Sequence, residues 1–86
     1  MSKNTNTKTI KFSREYSLNG GAMTDTITMR EPTVGDEINA QETAPKESLV
    51  QITLFANLCD LTLDELKQIS SKDGQKIAEA YNSFLE

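Results

Sequence analysis

Between residues 8 and 37 the hydrophobic spacing changes period once, and the change is abrupt. Up to Arg30, apolar and polar side chains alternate; at Pro32 the alternation stops; from Thr33 the spacing is that of a helix. In "TIKFSREYSL", Ile10, Phe12, Arg14, Tyr16 and Leu18 fall on one side and Lys11, Ser13, Glu15 and Ser17 on the other. Period-two alternation marks a strand with one face covered and one face wet. Asn19, Gly20 and Gly21 follow, residues that accept positive φ and turn a chain tightly. "MTDTITMR" then sets Ile27 and Met29 against Thr24, Thr26, Thr28 and Arg30. The two runs predict a β-hairpin over about 8–31. Two strands alone are marginal in water, so their apolar face must rest on other parts of the chain. Their outer edges remain open to another strand.

Pro32 has no N–H for a ladder and biases Glu31 toward extended backbone, so the second strand must finish near Arg30 or Glu31. Thr33 is placed to cap a helix, and Asp36 sits where a carboxylate suits the positive helix end. This predicts a helix from about Val34 to Thr43, weakened by Gly35, with Val34, Ile38 and Gln41 on one face. "PKESLVQITLFANLCDL" is the most apolar stretch, and its length favours a helix over a strand despite Val50, Ile52 and Thr53. It is apolar around so much of its circumference that it is either central or faces a partner as well as the core. "TLDE" at Thr62–Glu65 fits a capping box and opens a short helix with Leu63, Leu66 and Ile69 inward. "SSKD" at Ser70–Asp73 offers a similar start for a last helix carrying Ile77, Ala78, Tyr81, Phe84 and Leu85; Asp73-Gly74 read as a turn would start it later. The expectation is one α+β domain: a loose polar tail over 1–7, then a hairpin, then about four helices packed together over about 33–86.

A chain of 86 residues buries only about 60–65% of its unfolded surface, so its stability is modest and partners or self-association gain weight. The net charge is -4, unevenly spread: Lys3, Lys8, Lys11 and Arg14 make the first fourteen residues purely basic, and the acids all follow. An acidic body excludes general duplex binding, and the aromatic residues do not interleave with bases as a single-strand platform needs. No apolar run reaches the ~20 residues that span a bilayer. The chain has no histidine and one cysteine, Cys59, among apolar neighbours. That removes the commonest general base and every familiar zinc site, and suits a reducing compartment. Neither a phosphate-binding glycine loop nor a calcium loop is present, so no cofactor is expected. Asp36-Glu37 and Asp64-Glu65 are paired carboxylates, but both pairs fall in helix first turns, where the dipole explains them. Composition and spacing alone support a small acidic interaction module and no enzyme.

The segment "ITMREPTVGDE" resembles the signature region of the phage tail assembly chaperones of Mu-like and lambda-like tails, in which a strand leads through an "LREPTVGD"-type segment into helices. The likeness runs from about Thr9 to Leu85 and includes Leu61, Asp64, Glu65, Leu66, Asp73, Ala80, Phe84 and Leu85 at the family's positions. Gly74 departs from it, standing where the family carries a larger, often aromatic residue. The resemblance implies a non-enzymatic factor of the bacterial host cytoplasm. It would bind the tape measure protein during tail assembly and be absent from the finished virion. It also implies that this is the shorter product of a frameshifted pair. A client of that kind is a long helical chain with apolar stripes, so accessible apolar helix surface is needed. Phe55, Leu58, Tyr81, Phe84 and Leu85 are the expected partner-binding residues, with self-association besides. Arg30, Glu31, Pro32, Thr33, Val34, Gly35 and Asp36 form the family motif, expected to act structurally as strand stop, cap and dipole partner. The alternative is a small acidic phage or prophage regulatory or inhibitory module that binds a protein through charge, with affinity falling steeply in salt.

Overall fold

The computed structural model describes residues 6–86. The expected tail lies outside the described residues for residues 1–5; at Thr7 the chain is already paired with Arg30, and the Asn6 carbonyl accepts from the Glu31 N–H at 3.0 Å. Strand β1 (Thr7–Leu18) and strand β2 (Ala22–Arg30) form a two-stranded antiparallel sheet with Ile10 opposite Ile27 and Lys8 opposite Met29. Asn19, Gly20 and Gly21 all hold positive φ, and the Gly21 N–H donates to the Leu18 carbonyl to close the turn. Ile10, Phe12, Tyr16, Leu18, Ile27 and Met29 are buried, as the alternation requires.

Arg14 departs from the alternation: it is exposed, although its position in the sequence puts it on the covered face. The register explains this. Lys11 pairs with Thr26 but Tyr16 pairs with Thr24, so four residues of β1 stand opposite Asp25 alone. The excess length bulges out of the ladder. Arg14 leaves with it and lays its guanidinium over the Tyr16 ring, 5.0 Å from the centroid.

Helix α1 (Val34–Thr43) begins at the cap expected for it. A 3₁₀ turn at Glu47–Leu49 leads into α2 (Val50–Leu58). Asp60, with φ 59°, ends α2 in a left-handed cap: the Leu61 N–H reaches back to the Ala56 carbonyl at 2.8 Å and the Asp60 N–H to Asn57. Helix α3 (Leu63–Lys67) opens with the Thr62–Glu65 capping box, and α4 (Ser71–Phe84) with Ser70, so Asp73-Gly74 lies within the helix and is no turn. The hairpin followed by four helices is an α+β fold. Helix α4 lies against β1, and α1 and α3 lie against α2, whose Leu54, Phe55, Ala56 and Leu58 are all buried.

Helix α1 meets the core through Ala40, its one fully covered residue. Val34 and Ile38, the apolar pair of the predicted face, point the other way and are 74% and 52% exposed. A helix seated through alanine approaches its neighbour closely, and its larger apolar residues are then left outside.

Candidate functional site

Three local arrangements organise the surface. The first is the joint at Pro32. Arg30, the last residue of β2, reaches across the proline to Asp36 in the first turn of α1: Nη1 donates to Oδ2 at 2.7 Å and Nη2 to Oδ1 at 2.8 Å. The same carboxylate accepts from the Thr33 N–H at 2.9 Å, and the Asp36 N–H donates to Thr33 Oγ1 at 3.1 Å. One aspartate therefore serves as cap partner and as anchor for the preceding strand. The Arg30 fork, aided by the Thr33 bonds and opposed by partial burial, brings the Asp36 pKa down to about 2. β2 ends two residues before Pro32, Thr33 caps α1, and Asp36 stands in its first turn. The Arg30 fork went unforeseen; an arginine six residues before the N3 acid, across a proline, is its sequence signature. Glu31, Val34 and Gly35 make no such link.

The second arrangement joins the last helix to the first strand. Asp73 of α4 is fully buried. Its Oδ1 accepts from the Ser13 N–H and its Oδ2 from Ser13 Oγ, both at 2.9 Å, and Oδ2 also accepts from the Tyr16 hydroxyl at 2.6 Å. Lys76 Nζ stands 3.4 Å from Oδ1. Burial alone would raise this carboxyl's pKa, but donors from Tyr16, Ser13 and Lys76 overcome it and hold the group well below the usual carboxylate range. At the other two capped helices the N3 acid returns to the N-cap N–H; here Tyr16 Oη accepts from the Ser70 N–H instead, at 3.1 Å, which frees Asp73 to grip the β1 bulge.

The third arrangement is apolar surface. Of the expected partner-binding residues, Phe55 and Leu58 are buried in the core. Phe55 supports Tyr81 from beneath, ring centroids 5.2 Å apart. Tyr81 and Phe84 are half-buried and Leu85 is 58% exposed, so the C-terminal end of α4 carries apolar side chains at the surface. Tyr81 Oη donates to Glu37 at 3.2 Å, tying this end to α1, and Lys8 Nζ sits 5.1 Å from the centre of the Phe84 ring. Burial, and then the Glu37 charge, raises the Tyr81 pKa. Val34 and Ile38 add an exposed apolar stripe that sequence reasoning had not offered to a partner. Its signal was the isolation of the pair: one face of a short helix otherwise almost wholly polar.

Chemistry is sparse. Cys59 is buried, and burial pushes its thiol pKa up to about 12, far from the range of a nucleophile. The described residues contain no cluster of ligating side chains able to hold a metal ion. No described helix is long and apolar enough to cross a membrane.

Residues 9–86 match the family described as phage tail assembly chaperone proteins, E, or 41 or 14. No curated protein and no solved structure matches the chain. The matched span starts inside β1 and takes in the Pro32 joint, the Asp73 node and all four helices, and the chain thus belongs to the phage tail assembly chaperone family.

Proposed function

We propose that this chain binds the tape measure protein of its phage while the tail is being assembled, in the cytoplasm of the bacterial host, and stays out of the finished virion. It catalyses no reaction; its family is one of assembly factors. Family membership supplies the general role. The observation that supports the finer reading is the apolar end of α4, where Leu85 is exposed beside half-buried Phe84 and Tyr81. Covering a leucine or phenylalanine side chain from water is worth about 1.5–3 kcal/mol, so a client helix seated on this end gains from apolar contact alone. The net acidic charge limits unproductive clumping. Many copies on one long client suit self-association, and the outer edges of the two-stranded sheet offer one route to it.

The test is coexpression with fragments of the same phage's tape measure protein. A fragment that is insoluble alone should become soluble and copurify with this chain, and should stay bound in high salt. A fragment equally soluble with and without the chain, and not retained by it, overturns the reading.

A further inference from the structure

An apolar groove of about 450 Å³ lies between α2 and the first turns of α4. Ile52 and Phe55 line it from α2, Leu66 and Ile69 from the end of α3 and the residues after it, and Ile77 and Ala78 from α4. Gly74 and Lys67 also line it and give it character. A glycine inside a helix weakens the helix. At Gly74 nothing within the molecule demands one: its φ is not left-handed, and a Cβ there would meet no atom within 4 Å. The gap over Gly74 therefore opens outward, into the groove, where it leaves room for an incoming apolar side chain. Lys67 is the only charged side chain lining the groove, and among the described residues it forms no ion pair.

The complement to that groove is on the same chain. Helix α1 presents Val34, Ile38 and Gln41 at i, i+4 and i+7, with Val34 and Ile38 largely exposed. Glu42 flanks this stripe, and α1 carries no basic residue. Apolar ridge with acidic flank on one surface matches apolar groove with a lone lysine on another.

We propose that the α1 ridge of one copy seats in the α2–α4 groove of the next, with Val34 and Ile38 in the apolar floor, one of them over Gly74, and Glu42 facing Lys67. The inference rests on the self-association proposed above and gives it an interface other than the strand edges. Ridge and groove are different surfaces, so the contact is heterologous: it repeats from copy to copy and builds a ring or an open spiral, not an isologous pair.

The test is sedimentation of the full chain, without client, at micromolar to millimolar concentration. Wild type should associate beyond a dimer. Ile38→Asp spoils only the ridge and Gly74→Trp only the groove, and each alone should remain monomeric. Mixed together, each still supplies one sound surface, so the mixture should form a dimer and stop there. Lys67→Glu should weaken assembly, and Glu42→Lys in the same chain should restore it; this pair carries the test if Gly74→Trp fails to fold by circular dichroism. Wild type that stays monomeric overturns both the interface and the self-association. Wild type that associates while Ile38→Asp and Lys67→Glu associate equally well overturns the interface alone and returns assembly to the strand edges.

Discussion

The Tyr16 hydroxyl donates to Asp73 at 2.6 Å, joining residues 57 positions apart in the chain. The same oxygen accepts from the Ser70 N–H, so one phenol caps a helix and pins it to the hairpin. Tyr16→Phe keeps the ring, its edge-on contact with Phe12 and its burial, and removes only the hydroxyl's bonds to Asp73 and Ser70. A hydrogen bond to a charged group is worth about 1.5–3 kcal/mol, and the variant should lose stability in that range by urea denaturation. Asp73→Ala should cost more, since it strands the Ser13 N–H and hydroxyl along with the Tyr16 hydroxyl.

Acid should weaken the fold through Asp36 and Asp73. Both carboxyls have depressed pKa values in the folded chain, Asp36 at about 2. A depressed value means that stability is fully present above the unfolded pKa, near 4, and is lost as pH falls through the folded one. The melting temperature should therefore hold level from neutrality to about pH 5 and fall between about pH 4 and pH 2. In Asp36→Asn the fall should be shallower.

At the joint, the cap and the fork separate by mutation. Arg30 is 43% exposed at its side chain, so Arg30→Ala should cost only about 0.5–1 kcal/mol. Asp36→Ala also strips the cap and should cost about 1–2 kcal/mol. A double-mutant cycle measures the fork itself.

These features differ in how far the sequence reveals them. The hairpin, its turn, the Pro32 stop and the caps at Thr33, Thr62 and Ser70 are local chemistry: each needs only residues within three or four positions. The facing of α1 is not local. Val34 and Ile38 share a face on any helical wheel, but which face turns inward depends on Ala40 fitting closely against the core. The Arg14 bulge depends on a register set between two strands, and the Tyr16–Asp73 bond on how the last helix docks on the first. The apolar residues offered to a partner are legible as spacings in two segments, but burial divides them, taking Phe55 and Leu58 of α2 inside and leaving Leu85 after α4 out.

Burial also decides how Cys59 behaves. With its pKa pushed up to about 12 and its side chain in the core, it should react with a thiol reagent at pH 8 only when the fold opens. Labelling should be about a hundredfold or more slower than for the urea-unfolded chain. Prompt labelling of the native protein would mean that α2 opens readily.

Core and surface apolar residues should part cleanly. Leu18 is fully buried, and Leu18→Ala should cost about 2–5 kcal/mol. Leu85→Asp, on exposed surface, should change stability by no more than about 0.5 kcal/mol while impairing client capture.

Retention of a tape measure fragment from the same phage on the immobilised chain, washed from about 0.05 to 1 M salt, tests client binding through the apolar end of α4 most directly. The account predicts retention that salt does not diminish and that Leu85→Asp impairs. A fragment released by moderate salt, or held equally by Leu85→Asp, would contradict it.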